Sequence, residues 1–257
     1  KYTIASGIPD GNVLGFDPYM VKTYDDDELR ELVAFHQIDL RLKEENPFNP
    51  TTPKTTEEYL KLISENEEFG KIYDRFVNQL KMQETYTENG KPVKGIEAYL
   101  PRDIYECDKH HIAVANDIMK SREKLSKNGK FHAMLATKNI PEAIAYYKLF
   151  RKYHPSVNVV AVFDSNIDNS DGGIVREDAI KEMLTDYNAK YGTNYQLANY
   201  AKYKKDVAKR LAHKKPYIGI ENDHSQQIDL LIVVTQMLTG YDSKWINTLY
   251  VDKVMKY

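Results

Sequence analysis

The chain has 257 residues, 42% of them hydrophobic, which is enough for one large domain or two modest ones with a real core. Its 36 basic and 38 acidic side chains leave a formal net charge of -2, which excludes a surface that is everywhere an electrostatic trap for nucleic acid but leaves room for a local basic track. No apolar run approaches the roughly 20 residues that a bilayer span needs, there is no basic-then-apolar leader, and the one cysteine, Cys107, has no intramolecular disulfide partner, so a cytoplasmic setting without membrane contact is expected.

Residues 1–24 read as strand, turn, strand, with Tyr2-Thr3-Ile4, the turn Asp10-Gly11-Asn12 and then Val13-Leu14-Gly15-Phe16. From Asp25 an acidic first turn leads into Leu29, Leu32, Val33, Phe35 and His36 at helical spacing. Three prolines, Pro47, Pro50 and Pro53, make the next stretch irregular. Thr56 is a candidate cap for a helix carrying Tyr59, Leu60, Leu62 and Ile63, and a further apolar stripe runs through Phe69, Ile72, Tyr73, Phe76, Val77 and Leu80. A polar hairpin-like stretch around Asn89-Gly90 and a helix from about His111 to Leu125 complete a mainly helical segment over 25–125.

After Gly129 the pattern becomes strand, helix, strand, helix. Phe131 to Ala136 and Val157 to Phe163 are short apolar runs flanking a helix from Pro141 to Tyr153, whose proline sits in the first turn where a missing N–H costs nothing. Helices over 175–190 and 197–212 precede an apolar strand, Ile228 to Val234, and a short strand, Thr248 to Val251. Continuous apolar runs suit strands buried on both faces, so an α/β fold with a parallel sheet flanked by helices is expected over 126–257. A chain that does not start with Met is read as a piece of something longer.

Two apparent metal motifs are discounted. Cys107, His110 and His111 offer three soft ligands within five residues but lack the distant second pair of a structural zinc site. The run Asp164-Ser165-Asn166-Ile167-Asp168 begins like a calcium loop, yet Asn169 stands where that loop needs Gly and Val175 where it needs Glu. No metal is therefore expected. No Gly-x-x-x-x-Gly-Lys-Ser/Thr occurs, so this sequence contains no phosphate-cradling P-loop of its own.

The stretch Ile228 to Asp242 is a buried strand that runs out into hydroxyl-bearing residues and a Gly-x-Asp turn. Such a strand exit can bind phosphate through hydroxyls and free N–H groups, and is equally an ordinary strand-to-loop junction. Leu238-Thr239-Gly240-Tyr241-Asp242 with Asn247-Thr248-Leu249-Tyr250-Val251-Asp252-Lys253 resembles motif V of the restriction (R) subunits of type I restriction-modification enzymes, which are superfamily 2 helicase-like translocases. Phe131 to Thr137 with Ile140 to Tyr147 resembles motif IV of the same family, and Asp186 to Asn194 the stretch between the two motifs. Tyr2 to Leu14 is similar to the segment after motif III, with Ser6-Gly7 in place of an acidic-then-small pair.

The resemblance implies a second RecA-like motor domain over 126–257, without motif VI, preceded by a lead-in over 1–24. It implies DNA-phosphate contacts from Thr137, Thr235 and Thr239, a tight turn at Gly240, and Asp242 facing a nucleotide cleft. It further implies that the full-length subunit uses ATP and Mg²⁺ to translocate double-stranded DNA without regard to sequence. Its partners would be the methyltransferase and specificity subunits and its own first RecA-like domain. No catalytic residue and no tightly bound cofactor are expected in this segment. A different reading makes residues 25–125 a protein-docking module of a multisubunit DNA-processing complex.

Overall fold

The computed structural model describes residues 9, 15, 17–45, 54–101, 103–163, 173–234, 241 and 243–252, with the side chains of 173–176 outside the description. The expected strand-turn-strand and the proline-rich stretch fall outside these residues. The chain divides into two compact units, Lys1–Ile104 and Tyr105–Tyr257.

In the first unit, helix α1 (Asp26–Glu45) starts with three acidic residues, which favour the positive end of the helix dipole. Its apolar stripe, Leu29, Val33, Ala34, Phe35 and Ile38, is buried. Helix α2 (Thr56–Glu65) is capped by Thr55, one residue before the expected cap, because Glu58 lies three residues later and completes the reciprocal box: Glu58 N–H donates to the Thr55 hydroxyl, and Thr55 N–H to the Glu58 carboxylate. Asn66 caps α3 (Glu67–Asp74), which continues into a π-helical turn, Arg75–Gln79. Arg30 donates to the carbonyls of Phe76, Val77 and Leu80 (3.4, 3.2 and 2.6 Å), giving partners to acceptors that the end of this turn leaves open. Phe35 stacks on Tyr59 with centroids 4.3 Å apart. The hairpin expected around Asn89-Gly90 is present as β1 (Thr85–Tyr86) and β2 (Pro92–Val93), with Gly90 in the left-handed region.

The second unit opens with α4 (Asp108–Leu125). Sequence alone groups it with the helices before it, but it packs against α5 (Ile140–Tyr153). Among the described residues four strands form one sheet, β3 (His132–Thr137), β4 (Val159–Val162), β5 (Leu230–Val233) and β6 (Ile246–Asp252), in the order β4-β5-β3-β6 with every pairing parallel. The expected α/β fold, a parallel sheet flanked by helices behind a helical segment, is therefore what the chain adopts. The strands β3 and β4 flank one helix in sequence but are separated in space by β5.

The inner strands are apolar and buried along almost their whole length, as parallel strands covered on both faces must be. The edge strand β6 alternates half-buried with exposed, leaving Leu249 and Val251 largely in solvent. Helices α6 (Gly173–Tyr191) and α7 (Tyr200–Leu211) add Ile180, Met183, Leu184, Tyr187, Tyr203, Val207 and Leu211 to a core centred on β3, β4 and β5. Among the described residues no helix is long and apolar enough to cross a membrane.

Candidate functional site

Parallel α/β sheets collect ligands at the carboxyl ends of their strands, where helix starts and loops converge. Here that edge is formed by Thr137 closing β3, Val233 closing β5, Asp252 closing β6 and the first turn of α5. Thr137 is fully buried, and its hydroxyl bonds to the carbonyls of Asn139 (3.3 Å) and Val233 (3.2 Å). The Lys138 amide donates to Glu142 Oε2 at 2.6 Å, and the Glu142 amide to Asn139 Oδ1 at 2.9 Å. The hydroxyl and the Lys138 amide beside it therefore already have partners. A phosphate contact from Thr137 requires this capping network to open, so in this arrangement Thr137 holds the end of β3 against β5. Thr235, Thr239, Gly240 and Asp242 lie outside the described residues.

A polar group that sequence spacing does not reveal stands at the same edge. Asp252 accepts from His110 Nε2 at 2.8 Å and from the Tyr146 hydroxyl at 2.5 Å. Burial pushes the Asp252 carboxyl up, but the bonds from His110 and Tyr146 and the nearby imidazoles outweigh it and hold the group below its ordinary range, so it is ionised at neutral pH. Burial and the Asp252 charge raise the Tyr146 phenol well above its usual range, so it remains a donor. The buried His111 ring meets Tyr146 edge-on, with centroids 4.7 Å apart, and its Nε2 lies 3.6 Å from Glu142 Oε1. Lys138 turns its ammonium to Glu106 instead.

His110 and His111 are visible in sequence, but their partners come from α5 and from the end of β6, so spacing along the chain cannot join them. Cys107 immediately precedes α4 as its N-cap and does not belong to this constellation. Elsewhere in the unit, Lys202, Lys205 and Lys209 make an exposed stripe on α7, continued by exposed Lys214 and Lys215, a local basic track of the kind the overall charge leaves room for.

A family model of type I restriction enzyme subunit R domain 3 matches residues 129–257. The chain belongs to this family. It is 28% identical over 190 residues to a type I restriction enzyme endonuclease subunit of Staphylococcus aureus (strain MRSA252), and 31% identical over 191 residues to one of Staphylococcus saprophyticus subsp. saprophyticus. Each match covers 71% of this chain and 19% of the relative, so the chain spans about a fifth of the length of these curated relatives. The matched domain starts at Gly129, in the turn that joins α4 to β3. It therefore carries the whole sheet, while His110 and His111 enter from the helix before it.

Proposed function

We propose that this segment of the type I restriction R subunit works in ATP-driven translocation of double-stranded DNA, forming one wall of the nucleotide cleft and part of the DNA grip. The observation that carries this reading is the all-parallel sheet whose inner strand β5 ends at Val233, a short way upstream in sequence of the motif V-like run that opens at Leu238, in a chain of this family. Thr235 and Thr239 contact DNA phosphates, Gly240 allows the tight turn, and Asp242 couples nucleotide state to domain closure. Thr137 supports them by fixing the strand end. ATP and Mg²⁺ act in the full-length subunit, together with its first RecA-like domain and the methyltransferase and specificity subunits.

The lysine stripe on α7 supplies sequence-independent phosphate contacts, because ammonium groups on an exposed helix face meet a charged backbone and not base edges. Fluorescence anisotropy with unrelated duplexes over a salt series tests this. Binding is expected to be weak and indifferent to sequence. Replacing Lys202, Lys205 and Lys209 together with Ala should reduce the log–log salt slope by about 2 to 3, as loss of three phosphate contacts requires. Tight binding to one sequence that survives high salt, or an unchanged slope, contradicts the reading.

A further inference from the structure

The geometry assigns a divalent-metal site to His111, Glu142 and Asp252, at the carboxyl edge of the sheet, binding a first-row transition ion such as zinc. It stands on the described residues alone and holds whether or not the DNA-translocation reading does. One ligand atom from each residue lies within 4.8 Å of the others.

The His111 imidazole carries the argument. The residue is 94% buried, and Nε2 has no hydrogen-bond partner. A buried ring nitrogen left unpaired costs about 1–3 kcal/mol, so it needs an explanation. The 3.6 Å between His111 Nε2 and Glu142 Oε1 is too long for a hydrogen bond. It is close to the separation of about 3.4 Å between two ligands on one tetrahedral ion with bonds of about 2.1 Å.

Charge points the same way. Glu142 and Asp252 bring two carboxylates into a largely buried space, and among the described residues the basic side chains within 4.0 Å of them are the imidazoles of His111 and His110, not a lysine or arginine. An imidazole nitrogen with two carboxylates offers a neutralising, mixed N/O donor set that suits zinc, manganese or iron better than magnesium, which prefers oxygen donors and keeps its waters.

The surrounding bonds aim the ligands. His110 and Tyr146 orient the two oxygens of Asp252, and the Lys138 amide holds Glu142 Oε2, leaving Oε1 for the ion. The ligand atoms, all within 4.8 Å of one another, must close to separations of about 3.4 Å by side-chain rotation. Three protein ligands leave a fourth position for water. The ion would tie α4, α5 and the end of β6 together.

The test is zinc titration of the chelator-treated chain by calorimetry, with metal content read after desalting, and cobalt(II) as a spectroscopic stand-in. One equivalent of zinc is expected, with a melting temperature raised by roughly 5 °C or more at a hundredfold excess over Kd. Both effects should vanish in His111→Gln and in Glu142→Gln, and persist in Cys107→Ser. Should either ligand variant fail to fold by circular dichroism, the cobalt spectrum of the unaltered chain decides. Intense visible bands of a four- or five-coordinate ion support the site, and the pale spectrum of hydrated cobalt overturns it. Absence of stoichiometric binding, or equal binding by folded ligand variants, also overturns it.

Discussion

The two ends of the same parallel sheet solve the problem of buried charge in different ways. At the amino ends, Asp229 lies just before β5, with Arg122 of α4 at 2.7 Å and the Asn158 amide donating to its other oxygen at 2.8 Å. Nearby, His132 Nδ1 donates to the Ile228 carbonyl at 2.6 Å, and its Nε2 lies 2.8 Å from His213 Nε2. Some donors stay unmatched there, Arg122 Nε and Gln227 Nε2 among them, but the carboxylate has its guanidinium. At the carboxyl ends, two carboxylates face imidazoles, one of which has an unbonded nitrogen. An edge whose charges close on each other serves stability. The open nitrogen at the carboxyl edge is what the proposed metal ion would take up.

The sharpest way to break this contrast is Arg122→Met, which takes the guanidinium from the buried Asp229 carboxylate and leaves it the Asn158 amide. A loss of about 3 kcal/mol in unfolding free energy is expected from urea denaturation. A loss below about 1 kcal/mol would mean the amino edge is not held by this pair.

The next effect is one of pH. Burial first, then the neighbouring His213, lowers His132 from its ordinary 6.5 to about 4, against the opposing pull of the Ile228 carbonyl and Asp229. The unfolded chain then binds a proton that the folded chain refuses, so stability is full above about pH 6.5 and falls as pH drops towards 4, by on the order of 2–3 kcal/mol. His213 is lowered in the same direction by burial, with Glu221 opposing, and adds to the slope. His132→Gln should flatten the acid limb of a stability–pH curve. An unchanged limb would assign it to other groups.

How much of this is legible in sequence depends on the distance each relation spans. Helix and strand positions in the second unit follow local periodicity, and Pro141 in the first turn of α5 fits the fixed φ of proline. Strand order does not follow, because β5 reaches the space between β3 and β4 only through pairings with both. The membership of α4 is hidden for a similar reason: an amphipathic stripe shows that one face is buried, not against what. At the site, Asp252 lies within the motif V-like stretch, yet its link to His110 and Tyr146 exists only once α4, α5 and β6 come together. Thr137 shows the opposite limit. A hydroxyl at a strand end has the right chemistry for phosphate, and only the fold reveals that carbonyls already occupy it.

Two smaller effects sharpen the carboxyl edge. Tyr146→Phe removes one charge-assisted bond to Asp252 and should cost about 1.5 kcal/mol on denaturation. The pair between Lys138 and Glu106 is half exposed, so Lys138→Ala should change stability by less than about 0.5 kcal/mol. A larger loss from Lys138→Ala than from Tyr146→Phe would reverse the order of importance drawn here.

The proposal that the carboxyl edge is the working edge of this segment is tested most directly by DNA-stimulated ATP turnover of the full-length subunit as a function of DNA concentration. Asp242→Ala should depress stimulated turnover, and Thr239→Val should raise the DNA concentration needed for stimulation. Asn158→Ala, at the amino edge, should keep the unaltered curve, with all three variants melting within a few degrees of the parent. Unaltered curves from both the Asp242 and Thr239 variants, or equal damage from Asn158→Ala, would contradict it.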